Sequence, residues 1–155
     1  GTQVDGNTVF KEVASTTYYA HWEEATVFSV VVPAVLPVTV DQNGKVYVSN
    51  AEIVNHSTAA VQVSSVTLTA ENGWTLVPYA SDMSHAKVDS NQIGFKINSA
   101  QTSKTGSTEQ FVLTSPWQIA EEESLTLTYD AVVSALSQPV TNANILCVLF
   151  VVEWA

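Results

Sequence analysis

Between Lys45 and Leu76 the chain reads KVYVSNAEIVNHSTAAVQVSSVTLTAENGWTL, with apolar residues recurring at every second position. Val46 and Val48 alternate with Lys45, Tyr47 and Ser49. Val61 and Val63 alternate with Gln62 and Ser64, and Val66, Leu68 and Ala70 with Thr67 and Thr69. Successive side chains of an extended strand point to opposite faces, so this period puts one face in a core and the other in water. A helix cannot use it, because its apolar positions recur every three or four residues. Composition points the same way. Val is the commonest residue, and Ser and Thr fill most polar positions. Branching at Cβ costs rotamer freedom against a helical turn but packs well on a pleated surface.

The turn signals divide the chain into strands. Asn43-Gly44 lies between Val38–Val40 and Val46–Val48, and both turn residues tolerate positive φ, so these two strands are expected to form an antiparallel hairpin. Upstream, strands are expected over Val9–Thr17 and Ala25–Val32, with His21-Trp22-Glu23-Glu24 as the bend between them. Pro33 and Pro37 lack a ladder donor and mark an edge or a crossover. Ala51–Asn55 and Val61–Ala70 follow, then the turn Glu71-Asn72-Gly73 and a strand Trp74–Val77 stopped by Pro78. Ala80 to Gln92 and Asn98 to Thr108 read as loops, the second without an apolar anchor. Between them Ile93, Phe95 and Ile97 alternate as a strand. Phe111 and Leu113 open another, expected to end before Pro116. Leu125 to Val133 alternates, and Ile145 to Trp154 is apolar on both sides, so it is expected to be central or covered on both faces. The sum is roughly nine strands and no substantial helix: a two-sheet antiparallel β-sandwich, Ig-like or jelly-roll-like, in which Trp74, Leu76 and Trp154 anchor the core. The 155 residues suit one domain, with residues 1–7 as a loose N-terminal segment.

Charge excludes some partners. Fifteen acidic residues face five basic ones, all lysine, for a net charge of −10. No basic stripe exists to displace counterions from nucleic acid, and attraction to anionic lipid is disfavoured. The simplest role of the acidity is solubility. Cys147 is the single cysteine, so no internal disulfide forms; within its apolar run it reads as a buried, inert thiol. No apolar run reaches the ~20 residues of a spanning helix, so membrane insertion is not expected. The start Gly1-Thr2-Gln3 reads as the mature end left by a removed signal peptide, which implies a secreted or cell-surface protein.

Chemistry is sparse. His21, His56 and His85 lie in three separate segments without the close spacing of a zinc site. There is no nucleophile elbow and no glycine-rich phosphate loop. Glu121-Glu122-Glu123 offers paired acids, but neighbours on a strand face opposite ways and cannot flank one bond. No catalytic residue and no cofactor is therefore assigned, and the chain does not read as an enzyme. Asp82 and Asp89, with Ser84 and Ser90, are weak calcium candidates, as is Asp41 with Asn43; neither set has the D-x-D-x-D-G spacing. Trp22, Trp117 and Tyr79, with Tyr18 and Tyr19 nearby in sequence, lie at bends or strand ends where a ring can stack on a sugar, which gives the alternative of a carbohydrate-binding module. Against it stands plain packing, with these rings closing the ends of the core. Asn55-His56-Ser57 fits a glycosylation sequon. Lys45, Lys96 and Lys104 look outward or loop-borne, so an internal Lys–Asn isopeptide bond is not expected.

Three stretches carry a family resemblance: Val31-Val32-Pro33-Ala34-Val35-Leu36-Pro37-Val38-Thr39-Val40-Asp41, Asn50-Ala51-Glu52-Ile53-Val54-Asn55-His56-Ser57 and Gly73-Trp74-Thr75-Leu76. Their order resembles secreted surface proteins of Gram-positive, clostridia-like bacteria. Gly73-Trp74-Thr75-Leu76 resembles the first W-x-L motif of WxL-type cell-wall-binding domains, and a second W-x-L has no counterpart here. Phe150-Val151-Val152-Glu153-Trp154 is similar to the closing strand of those domains and of camelysin/TasA-type biofilm-fibre proteins. The resemblance implies a structural, adhesive or biofilm-matrix role at the cell surface, without catalysis. Its partners would be surface proteins or polysaccharide, or further copies of the chain joined through an edge strand such as the N-terminal one.

Overall fold

The computed structural model describes residues 20, 23, 25–41 and 44–155. The expected strand over Val9–Thr17, the bend at His21-Trp22-Glu23-Glu24 and the loose segment 1–7 fall wholly or mainly outside these residues. What is described is all-β, an antiparallel sandwich of short sheets around one core. Its twelve strands are β1 (Val30–Val31), β2 (Val38–Val40), β3 (Val46–Val48), β4 (Ala51–Asn55), β5 (Val61–Ala70), β6 (Thr75–Leu76), β7 (Gln92–Ile97), β8 (Ala100–Gln101), β9 (Thr108–Ile119), β10 (Ser124–Leu127), β11 (Tyr129–Val133) and β12 (Leu146–Trp154).

The strands pair in the orders β1-β4-β10, β11-β7-β6 with β8 also on β7, β12-β5-β9, and the hairpin β2-β3. All pairs are antiparallel except β6 with β7. The hairpin follows the Asn-Gly signal, with Val38 opposite Val48 and Val40 opposite Val46. Gly44 takes φ 78°, and the Asp41 carboxylate accepts the Lys45 N–H at 2.9 Å to close the turn. The alternating run from Leu125 to Val133 breaks at Thr128. Its first half pairs with β4 and its second with β7, so one extended segment serves two sheets. Asn98, at φ 46°, holds the break by accepting the Thr128 N–H at 2.7 Å.

The core is built from the buried positions of this alternation: Val61, Val63, Val66 and Leu68 on β5, Ile93, Phe95 and Ile97 on β7, and Ile53, Leu76, Ile119 and Leu127 around them. β5 is the central strand, buried in the middle by β12 on one side and β9 on the other.

Four expectations change. The stretch Ala25–Val32 shrinks to β1, because hydroxyls replace the ladder: Val27 N–H donates to Thr58 Oγ1 at 3.0 Å and Ser29 N–H to Ser57 Oγ at 2.9 Å. β9 does not stop before Pro116. Val63 faces Trp117 while Ser65 faces Val112, so residues 113–116 stand opposite Ser64 alone, and Pro116 sits in a bulge where no ladder donor is required. The Asn98 to Thr108 loop does have anchors. Buried Ala100 belongs to β8, and buried Thr102 donates its N–H to the Phe95 carbonyl at 2.9 Å and receives the Phe95 N–H on Oγ1 at 3.0 Å. Last, among the described residues β12 is neither central nor covered on both faces: it lies at the edge of its sheet, with alternate residues exposed.

Gly94 leaves no room for a side chain. A Cβ there would lie 2.7 Å from Val132 Cγ2, 2.8 Å from the Pro78 carbonyl oxygen and 2.8 Å from Tyr79 Cα. Two of those atoms belong to main chain and cannot rotate away. Gly94→Ala is therefore expected to destabilise by about 2 kcal/mol, the usual scale of overpacking, read as a drop in thermal midpoint with the far-ultraviolet spectrum retained. An unchanged midpoint would mean that the Pro78–Tyr79 segment moves freely.

Candidate functional site

The site begins with the composition of β12. Leu146-Cys147-Val148-Leu149-Phe150-Val151-Val152-Glu153-Trp154 is branched, aromatic and nearly uncharged, which favours extended backbone. On one side it pairs with β5 along its whole length, from Leu146 opposite Ala70 to Trp154 opposite Val61. Its other side has no strand partner among the described residues. Leu146, Val148, Phe150 and Val152 turn inward and pack on the core, each half-buried, with no described strand extending the layer beyond them. Cys147, Leu149, Val151 and Glu153 turn outward, with Leu149 58% and Val151 43% exposed. Glu153 accepts a hydrogen bond from Gln62 Nε2 at 3.1 Å, and Gln62 Oε1 in turn accepts from Gln118 Nε2. That polar ladder uses the strand's one charge within its own sheet.

Two expectations fail on this strand. Cys147 is exposed, because it lies on the outward face of an edge strand. Trp154, expected to anchor the core, is 40% exposed and packs edge-on against Phe28, ring centroids 5.1 Å apart. The core tryptophan is Trp117, 9% exposed, with its indole N–H donating to Ser99 Oγ at 2.8 Å. Leu76 is fully buried and Trp74 packs against the core from a half-buried position.

The described members of the sugar-stacking set, Trp117 and Tyr79, present no stacking platform. The burial of Trp117 leaves no ring face to offer. Tyr79 is half-buried and donates its hydroxyl to Asp130 Oδ2 at 2.7 Å, a bond that, with burial and the negative charge, raises its pKa above the usual tyrosine value. Trp22, Tyr18 and Tyr19 lie outside the described residues. The oxygen-rich loop is likewise occupied with its own backbone. Asp82 accepts the Ser84 N–H at 2.9 Å as the cap of the 3-10 turn Met83–His85, and Asp89 accepts both the N–H and the hydroxyl of Ser137. Among the described residues no group of three or more His, Cys, Asp or Glu is placed to hold a metal ion. His56 and His85 are exposed and far apart in the chain, and Lys45, Lys87, Lys96 and Lys104 are all exposed. An open hollow of about 450 Å³ beside β9, between Ser99 and Ser115, contains no acid or base next to its hydroxyls.

Both aspartates are held below the ordinary carboxylate range by hydrogen bonds to the ionised form, Asp89 by Ser137 and Asp82 by Ser84. A depressed folded-state pKa contributes stability above the unfolded value, and that contribution is lost as pH falls through the folded one. The loops around Asp82 and Asp89 are therefore expected to loosen in acid below the usual aspartate pKa. A carboxylate carbon titration by NMR checks this: both midpoints should lie below that of Asp in an unstructured peptide, and normal midpoints would remove these contacts from the solution structure.

Sequence reasoning missed two polar residues that organise the fold. Asn55 is fully buried, and Glu109 is buried with its carboxylate accepting from the Ser103 N–H at 2.9 Å and from the Ser103 hydroxyl. No protein-family model, curated protein or solved structure matches this chain. No helix among the described residues is long and apolar enough to cross a membrane.

Proposed function

We propose that this chain is a non-catalytic module of an extracellular bacterial surface or matrix, acting through protein–protein or cell-wall contacts. One observation carries the reading: a nine-residue strand edge, open among the described residues and flanked by exposed Leu149 and Val151. Unpaired edges are templates for another chain, and stable folds blunt those they do not use. An added strand gains main-chain hydrogen bonds, while side chains on both faces set specificity. The Arg-free, acidic, Ser/Thr-rich surface suits a secreted protein. The likeness of Gly73-Trp74-Thr75-Leu76 and of the closing strand to WxL-type and camelysin/TasA-type proteins supports a Gram-positive surface, adhesion or biofilm setting.

Adsorption of labelled full chain to Gram-positive cell envelopes tests this. Binding should saturate, persist at high salt because the edge is apolar, and fall at least tenfold for Leu149→Lys, which places a charge on the open edge. Absence of binding, or equal binding by the variant, would sink the proposal.

A further inference from the structure

We infer that the partner at β12 is a second copy of this chain, with the two β12 strands antiparallel about a two-fold axis through Phe150. This rests on the surface-module reading for the site, and goes further in naming the occupant and its register.

The first argument compares the edges. Among the described residues every other edge strand carries a blunting device. β1 has two residues and leads into Pro33, β2 follows Pro37, β3 follows Lys45, and β6 has two residues and is stopped by Pro78. β9 contains Pro116 and a bulge, β10 has four residues directly after three glutamates, and β8 and β11 are short, with two and five residues. Among the described edge strands β12 alone is long and free of Pro and Lys. A molecule that blunts its other edges and leaves one clean is built to pair there.

The second argument is the strand's own composition. Residues apolar on both faces belong in the middle of a sheet, and β12 is at the border of one. Pairing with a second β12 makes it central, in the order β9-β5-β12-β12-β5-β9, and covers the half-exposed Leu146, Val148, Phe150 and Val152 along with the outward row.

The third argument selects a second copy. Opposite residues of an antiparallel pair share a face, and a two-fold axis on Phe150 keeps all nine residues paired. Leu149 meets Val151 of the other copy twice, Val148 meets Val152, and Leu146 meets Trp154. Glu153, the one charged residue in the strand, meets Cys147 and not its own equivalent. Moving the axis to Val151 sets Glu153 against Leu149 and shortens the ladder by two residues. Glu153 is also bonded to Gln62, which holds the edge's one carboxylate against its own sheet near the end of the strand. The net charge of −10 on each copy opposes association at long range, so the dimer should tighten as salt screens it.

The experiment uses the full chain. Analytical ultracentrifugation from micromolar to millimolar concentration should show a reversible dimer that strengthens with sodium chloride. Leu149→Lys and Val151→Lys, both at exposed positions, should be monomeric with unchanged circular dichroism. Register is read by cross-linking in a Cys147→Ser background. Leu149→Cys mixed with Val151→Cys should form the mixed disulfide about tenfold more than either variant alone, because directly opposite Cβ atoms lie about 4.5–5.5 Å apart and diagonal ones about 7–8 Å. A monomeric parent overturns the inference, including one whose edge is covered by its own first residues. So does a dimer indifferent to both lysine variants, or equal cross-linking by the single variants. A monomeric parent whose envelope binding is still abolished by Leu149→Lys would overturn the second copy and leave the surface-module reading standing.

Discussion

Asn55→Ala should lower stability by about 3 kcal/mol, because it strips several buried polar groups of their partners at once. The Asn55 side chain is fully buried at the end of β4. Its Nδ2 donates to the carbonyls of Ala59 at 3.0 Å, Ile119 at 3.1 Å and Ala120 at 3.0 Å, and its Oδ1 accepts the Ser57 N–H at 2.8 Å. Two hydrogens serve three carbonyls, so one bond is shared. The amide thus ties the turn after β4 to the end of β9. Ser57 passes the tie onward, accepting the Ser29 N–H and donating to the Ser29 carbonyl beside β1. Alanine leaves the Ser57 N–H dry and unpaired and takes a buried donor from the Ile119 carbonyl, a residue that the ladder pairs with Val61. Ala59 and Ala120 are exposed residues whose carbonyls can take water, which holds the expected loss near 3 kcal/mol instead of the sum over all four bonds. Urea unfolding checks this, with the midpoint falling and the slope unchanged. Asn55→Asp provides the control: it keeps the shape but turns a carboxylate toward three carbonyls, so at neutral pH it should be worse than alanine. A loss under about 1 kcal/mol for Asn55→Ala would mean that water replaces the amide. The same burial corrects the sequon reading, since a fully enclosed Nδ2 has no room for a glycan in the folded protein.

Asn55 also shows where sequence reading stops. Period-two alternation located β4, β5 and the β2–β3 hairpin at their observed bounds, because a half-buried strand and an Asn-Gly turn each leave a local signature. Which polar residues are buried leaves none. Asn55, Thr102 and Glu109 resemble dozens of exposed Asn, Thr and Glu residues, and only the packed fold distinguishes them. Trp117 and Trp154 make the same point in apolar form. Both occupy strand positions facing β5, Trp117 opposite Val63 and Trp154 opposite Val61. Trp117 reaches under the sheet toward Ser99, whereas Trp154 ends an edge strand, 40% exposed, with Phe28 edge-on against its ring. The candidate site was half legible. The apolar character of β12 was plain, but periodicity carries no information on strand order, so the strand's place at an edge was not.

Phe95→Ala has the largest expected effect, about 4 kcal/mol, within a total stability that for such domains is about 5–15 kcal/mol. Phe95 is the largest of the fully enclosed side chains, on β7 between Gly94 and Lys96. Its ring lies 6.1 Å from that of Tyr129, and the Tyr129 hydroxyl donates to the Pro37 carbonyl at 2.7 Å and accepts the Ser49 N–H at 3.3 Å. Phe95 therefore supports the ring that holds both ends of the β2–β3 hairpin. The Phe95 main chain is pinned separately by Thr102, so the backbone cannot collapse into the void, which places the loss toward the upper part of the range for such truncations. Two measurements divide the effect. Global unfolding reports the cavity, and hydrogen exchange of the Val38–Val40 and Val46–Val48 amides reports the hairpin, which should lose protection beyond the global change. Tyr129→Phe should reproduce that local loss while lowering overall stability by only about 1 kcal/mol, since it removes the hydroxyl and keeps the packing. If Phe95→Ala left the hairpin amides no more labile than the rest, Tyr129 would hold its place without Phe95, and the hairpin would be secured by its own turn at Asp41 and Gly44.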